Sequence, residues 1–323
     1  MSESEYGVVP MKNSNKKTYI KAIAEIRSIS AAAEMLGITQ PALSAYLKKI
    51  ETELGAAIFD RSSQPLELTD AGRIYIDYLD RSSALKRELL QNISDLQELK
   101  TGSITIGGAS FFNVSYLPEA VAEFASSYPN VDIEIVDGKV PELSAMAQNG
   151  LLDLFITPSN DMDDRFIYEE LCDERILLCV PEVWKINDEL SAGQQTAGGY
   201  CSLTGEEFRE LCSNTFITLK NNQDIGRRME LLFRKYGCRP ARTVIAEQTV
   251  TTLALTAAGV GISMVATGSL NSVSLTNLPV MYYLDDELCR RKIYIAYPKN
   301  KYLSGAASEM VSLLKEINAA KSF

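Results

Sequence analysis

The feature that most constrains this chain is a change of period at Thr101-Gly102. Before it, apolar residues recur every three or four positions, as on one face of a helix. Beyond it, apolar runs of strand length alternate with helical segments. SITIGG reads as a strand, LPEAVAEFASSY as a helix, VDIEIVDG as a strand, VPELSAMAQNG as a helix and LDLFITP as a strand, with ERILLCVPE a further strand. A second round opens at TFITLKNN (215–222) and runs through helix GRRMELLFRKYG, strand ARTVIAE, helix TVTTLALTAAG and strand VGISMVA. KIYIAYP and SEMVSLLKEINAA close the chain as strand and helix. Repeated βαβ order predicts a parallel sheet covered by helices. At 323 residues the chain exceeds one ordinary core, so two or three compact units are expected. Gly107-Gly108 lacks the spacing of a dinucleotide fingerprint and reads as a strand end.

Composition narrows the function classes. The chain has no histidine. That removes Ser-His-Asp and Cys-His catalysis, histidine-ligated zinc and histidine pH switching. Carboxylate, lysine or cofactor catalysis stays open, but no catalytic constellation is visible; no enzyme activity, cofactor or metal is expected. No apolar run is long enough to span a bilayer, so no membrane partner is expected. The N-terminal MSESEYGVVPMKNSNKK has no apolar core of a signal peptide. The six cysteines (172, 179, 201, 212, 238, 289) form no Cys-x-x-Cys pair, and are expected to be reduced thiols in a cytoplasmic protein. The net charge of −10 hides a polarity: residues 12–61 carry eight Lys/Arg against five Asp/Glu, whereas 102–323 carry 19 against 28. Positive charge is local to the N-terminal segment.

That segment reads as short helices. Ile20, Ile23 and Ala24 recur at helical spacing, and Ser28 or Ser30 can cap SAAAEML, which Gly37 stops. Thr39 is expected to cap the next helix. Pro41 falls in its first turn, where a missing N–H costs nothing. Leu43, Leu47, Ile50 and Leu54 form an apolar stripe, while Gln40, Ser44, Lys48 and Glu51 share another face. AIFDRSSQPLELTDAG then reads as a wing-like hairpin. Thr69 caps a long helix from Asp70 to about Lys100, striped by Ile74, Tyr78, Leu85, Leu89, Ile93 and Leu96. Nothing nearby in the sequence covers that stripe, which predicts pairing with a helix of a second subunit.

Helix, tight turn and second helix with a polar N-terminal face form a helix-turn-helix. The segment resembles the DNA-binding domain of LysR-type transcriptional regulators. The resemblance rests on Ile20, Ile23, Ser28, Ala32-Ala33, Leu36, Gln40-Pro41-Ala42-Leu43-Ser44, Ile50-Glu51, Leu54-Gly55, Phe59, Arg61 and Leu68-Thr69-Asp70-Ala71-Gly72. More loosely it covers the whole chain. It implies an α/β protein with an N-terminal all-α winged helix-turn-helix (12–69), a long linker and dimerisation helix (70–101), and a C-terminal effector-binding domain (102–323). The last resembles periplasmic binding proteins, with one subdomain at about 102–176 and 272–323 and the other at about 177–271. The implied function is a ligand-responsive transcription factor that binds promoter DNA as a homodimer or homotetramer, with RNA polymerase a further partner. The chain departs from the family pattern at Arg27, where glycine is common, at Ala45, where a basic residue is frequent, at Phe111, where many members have a small hydroxyl residue, and at Met264-Val265, in place of Leu-Pro.

The candidate DNA-contact residues are Ser30, Thr39, Gln40, Pro41, Ser44, Lys48 and Arg61. Gln40 and Ser44 can reach base edges, and Lys48, Lys49 and Arg61 can grip phosphate. The bland alternative is a solvated helix face. A parallel sheet places a ligand crevice at the carboxyl ends of its strands. Candidate effector contacts there are Ser110, Phe111, Thr157, Lys220, Asn221, Asn222 and Thr249. Lys220 and free helix N–H groups favour an anionic ligand. Each residue alone is more often a cap than a contact. Two competing readings are a solute-binding protein with an accessory N-terminal domain and a redox-sensing regulator using Cys201 and Cys212. The first gives no use for residues 16–72. Against the second, cysteine pairs of peroxide-sensing relatives follow the strand that TFITL resembles, whereas both of these precede it.

Overall fold

The structure is a computed structural model that describes residues 14–95, 102–158, 162–190, 200–272 and 278–319. The chain divides into two compact units, residues 1–87 and 88–323. The expected segment limits at 12 and 101, and Leu96 of the stripe, lie outside the described residues.

In the first unit α1 (Ser14–Ile26), α2 (Ile29–Met35) and α3 (Gln40–Leu54) precede a two-stranded wing, β1 (Phe59–Asp60) and β2 (Glu67–Leu68), paired antiparallel. Helix α4 (Asp70–Asp95) follows. Ser28, not Ser30, caps α2: its hydroxyl accepts from Ala31 N at 3.4 Å. Thr39 occupies the cap position of α3 with extended backbone, but its side chain makes no cap bond. Of the second and third N–H groups that a cap oxygen can reach, Pro41 removes the second. Gly37 and Gly55 end α2 and α3 at φ +65° and +67°. Ile20, Ile23, Ala32, Ala33, Leu43, Leu47, Ile58, Phe59 and Leu79 are buried together. Leu54, expected on the buried stripe, is the last residue of α3 and lies exposed. Lys21 pairs with Asp80, joining α1 to α4, and Thr69 caps α4 by accepting from Gly72 N at 2.9 Å.

The second unit begins with β3 (Gly102–Gly108), α5 (Ser110–Ser127), β4 (Val131–Asp137), α6 (Val140–Gln148), β5 (Leu154–Pro158) and β6 (Phe166–Val180). Next come α7 (Ile186–Leu190), β7 (Cys201–Leu203), α8 (Gly205–Leu211), β8 (Thr215–Leu219), α9 (Asp224–Lys235), β9 (Arg242–Ala246), α10 (Thr249–Ala257) and β10 (Ile262–Ala266). A 3-10 turn (Thr267–Ser272), β11 (Val280–Leu284), β12 (Arg290–Pro298) and α11 (Gly305–Ala319) complete it. The main strand order is β4-β3-β5-β12-β6-β10-β8-β9. Strands β4, β3 and β5 are parallel, as are β9, β8 and β10, so each round has the expected architecture.

The expectation of a wholly parallel sheet fails where the chain passes between rounds. Strand β6 carries 15 residues. Its Phe166–Arg175 half pairs antiparallel with β12, and its Ile176–Val180 half pairs antiparallel with β10 and β11. One strand therefore belongs to both rounds. Only the ERILLCV half has the apolar character of a strand. The first half carries Glu169, Glu170 and Asp173, which face Lys292 and Lys315 instead of following an apolar alternation. The return to the first round also comes later than residue 272: β11 still pairs with β6 and β7, and Tyr282, Tyr283, Leu284 and Cys289 lie in the second core. That core also holds Ile176, Phe208, Phe216, Met229, Leu232 and Ile262, whereas the first holds Ile104, Ile106, Tyr116, Phe124, Ile293 and Leu314. Gln91, buried on α4, donates from Nε2 to Ser103 O and Asp153 Oδ1, both at 3.1 Å, fixing the end of that helix against β3. No helix among the described residues is long and apolar enough to cross a membrane.

Candidate functional site

Helix α3 presents Gln40, Pro41, Ala45 and Lys48 to solvent, with Ser44 half-buried. Gln40 Nε2 donates to Ser44 Oγ at 3.0 Å, so the two candidate base-reading groups meet one helical turn apart. Lys48 makes no ion pair among the described residues, whereas Lys49 lies 3.8 Å from Glu53. Arg61 is already partnered: its Nη2 is 2.8 Å from Glu51 Oε2. The other Glu51 oxygen accepts from Ile58 N at 2.9 Å. Glu51 thus fixes Arg61 at the edge of an open groove of about 1090 Å³, which Lys48, Thr52 and Arg73 also line. Arg61 remains largely exposed, and a guanidinium has five donors, so the pair leaves some of them for phosphate. Ser30 is exposed in the first turn of α2, and Thr39 is exposed beside Gln40.

In the second unit the candidate effector residues gather at strand ends. Ser110 and Phe111 open α5 after β3, Lys220–Asn222 join β8 to α9, and Thr249 opens α10 after β9. Thr157 differs from expectation. It lies inside β5, buried, with its hydroxyl donating to Pro158 O at 3.2 Å. Asn221 donates to Glu230. Lys220, expected to supply free positive charge, is ion-paired with Glu247. That hydrogen bond, and then the Lys220 charge, hold the Glu247 carboxyl below its usual range; the field of Lys139, at the start of α6, adds to this. Lys139 follows β4 of the first round and Glu247 follows β9 of the second, so these opposed charges come from different rounds.

Phe111 packs against both cores. Beside it lies a charge network the sequence reading missed. Arg291 directs Nε at Glu174 Oε2 (2.6 Å) and Nη1 at Asp224 Oδ2 (2.8 Å). Its Nη2 is also 2.6 Å from that Glu174 oxygen, but without hydrogen-bond alignment. The guanidinium carbon sits 5.6 Å from the Phe111 ring centre and 5.3 Å from that of Phe112. Tyr116 donates to the other Glu174 oxygen, Gly268 N donates to it at 3.2 Å, and Arg228 Nε donates to Asp224 at 2.9 Å. Burial works against the charged form of Asp224, but Arg291 and then Arg228 outweigh it, so its carboxyl titrates below the usual range. Burial and then the Glu174 charge push the Tyr116 phenol up, which keeps it a donor. The network joins β6, α5, α9 and β12 at the junction of the two rounds. The available signal was Arg291 at an inward register of RRKIYIAYP, where a charge demands a partner.

Cys201 and Cys212, the redox candidates, are not in sulfur contact. Cys201 is in β7, whereas the Cys212 sulfur contacts Cys238.

Comparison with known proteins agrees with this arrangement. Residues 15–73 match the family model described as bacterial regulatory helix-turn-helix protein, lysR family, and residues 97–319 match the LysR substrate binding domain. The transcriptional regulator YybE of Bacillus subtilis is 27% identical over 90% of this chain and 93% of its own. The regulator CbbR of Rhodospirillum rubrum is 24% identical over 91% and 93%. Among solved structures, CbnR superimposes with a TM-score of 0.67 at 17% identity, covering 94% of this chain and 98% of that one. CbnR has also been solved full-length in complex with its target DNA. With a helix-turn-helix ahead of a two-round α/β domain and both family models matched, the chain belongs to the LysR family of DNA-binding transcriptional regulators.

Proposed function

We propose that this regulator reads a dyad-symmetric promoter site through α3 of two copies and responds to a small anionic effector held between the two α/β rounds. The observation that carries the DNA reading is the row of exposed Gln40, half-buried Ser44 and exposed Lys48 on a helix whose other face is buried. Gln40 offers a bidentate amide to adenine, Ser44 a hydroxyl, and Lys48 and Arg61 charge for phosphate. Residues 12–69 serve as the DNA-binding domain, 70–101 as the linker and 102–323 as the effector domain, in the cytoplasm. The exposed Ile74, Tyr78, Leu85, Leu89 and Ile93 on α4 form the seam between copies.

Effector specificity follows from the crevice. A carboxylate ligand replaces Glu247 as the partner of Lys220, with Lys139 adding attraction and Phe111 narrowing the first-round side. Closure on the ligand shifts the assembly between two arrangements and alters its contacts with promoter and RNA polymerase, provided the ligand binds one arrangement better. The test is thermal shift of wild type and Lys220→Ala against small carboxylates and their neutral amides. The expected result is stabilisation of wild type by a carboxylate, weakened in Lys220→Ala. Equal response of both proteins, or preference for the amide, contradicts the anion assignment.

A further inference from the structure

We infer that Cys212 and Cys238 form a reversible intrachain disulfide by exchange with a small disulfide, a modification site distinct from the DNA face and the crevice. Their sulfurs lie 2.7 Å apart across 26 positions of sequence. A disulfide bond is about 2.05 Å long, so bonding requires only a small further approach. The surrounding backbone is already fixed. Cys212 caps α8, donating its N–H to Arg209 O at 3.2 Å, and its carbonyl accepts from Ala241 N at 2.9 Å. Cys238 follows the turn that ends α9 and donates its N–H to Phe233 O at 3.0 Å. Arg209 Nε reaches Tyr236 O at 2.9 Å, tying the ends of the two helices together. The remaining cysteines, at 172, 179, 201 and 289, make no sulfur–sulfur contact among the described residues.

Access decides the order of events. Cys238 is half-buried and Cys212 buried. Burial first, and the neighbouring Cys238 second, push the Cys212 thiol up, while the more accessible Cys238 meets the small disulfide first and supplies the attacking sulfur. It attacks one sulfur of the small disulfide and expels one thiolate, leaving a mixed disulfide on Cys238. Cys212 sulfur then attacks Cys238 sulfur, gives up its proton and expels the second thiolate. Two electrons pass from the protein dithiol to the small disulfide, which leaves as two thiols. The product ties the end of α8 to the end of α9, the helix whose opposite end bears Asp224.

The test equilibrates the full chain in buffers of reduced and oxidised glutathione, traps with acid, alkylates and maps peptides, with melting followed in parallel. The expected result is a Cys212–Cys238 linked peptide that grows with oxidised glutathione, is retained in Cys201→Ser and is lost in Cys238→Ser. Oxidation should raise Tm by roughly 5–10 °C, from closure of a loop this long in a domain this size, and not in Cys238→Ser. Full alkylation at both positions in the most oxidising buffer overturns the inference. So does a Cys201–Cys212 link, or a glutathione adduct at Cys238 that never resolves.

Discussion

At the scale of single residues, position 27 shows what a motif records and what it hides. Arg27 has φ +57°, the one non-glycine left-handed backbone among the described residues. An L-residue there costs about 1–2 kcal/mol, which a glycine would avoid. The side chain returns part of that: Nε donates to Leu66 O at 3.3 Å and Nη2 pairs with Glu67 at 2.7 Å, linking the α1–α2 turn to the wing. Both contacts are exposed, so together they offset no more than about 1 kcal/mol. Arg27→Ala keeps the backbone cost and loses the contacts, so it should destabilise by about 1 kcal/mol in chemical denaturation. Arg27→Gly should stay within about 0.5 kcal/mol of the parent, since relief of strain offsets the lost contacts and the freer unfolded chain. Both variants lack the side-chain contacts, so the reverse order would show that the freer unfolded chain of the glycine variant outweighs the relief of strain. Gly72 is similar: a Cβ there would sit 2.1 Å from Ile58 O, so α4 can begin against that carbonyl only with glycine. The residue was legible in the motif; its reason is a contact fourteen positions back.

Among elements, α4 was read from its period alone, and its stripe is exposed in the structure at Ile74, Tyr78, Leu85, Leu89 and Ile93. Periodicity reports which residues share a face, and the local sequence offered nothing to cover this one. Gln91 could not be read in this way. Its partner Asp153 is 62 positions further on and itself accepts from Thr105 N at 2.7 Å. Long-range polar pairs of this kind leave no periodic trace. Replacing Leu85 and Leu89 by Asp puts charge into the seam and should dissociate the assembly in sedimentation velocity, while the face away from Gln91 loses no intrachain packing. An unchanged sedimentation coefficient would place assembly elsewhere. Strand β6 carries the same lesson: its apolar half is visible, and its other half is not, because there carboxylates paired with Lys292 and Lys315 break the apolar alternation.

For the molecule as a whole, strand ends supply the candidate effector residues, but the charges that act on one another there, Lys139, Lys220 and Glu247, come from three places far apart in sequence. Lys220 was legible as a cation; that Glu247 neutralises it was not. Asp224, held below the usual carboxylate range by Arg291 and Arg228 against the opposing effect of burial, makes stability pH-dependent. A depressed carboxyl contributes stability that is complete above the unfolded value of about 4 and is lost as pH falls through the folded one. The thermal midpoint should therefore hold from pH 7 to about 5 and drop below about 4. Asp224→Asn should lower it at neutral pH and flatten the acid drop; an unchanged acid limb would remove Asp224 from that account. The central claim, that α3 reads DNA, is tested most directly by fluorescence anisotropy of wild type, Gln40→Ala and Lys48→Ala on a selected duplex and on a scrambled one, across a salt series. Lys48→Ala should weaken both duplexes alike and reduce the salt slope by about one counterion. Gln40→Ala should cost about 1–3 kcal/mol on the selected duplex and leave the scrambled one unchanged. Parental affinity and salt slope for both variants on both duplexes would contradict the assignment of α3 as the reading helix.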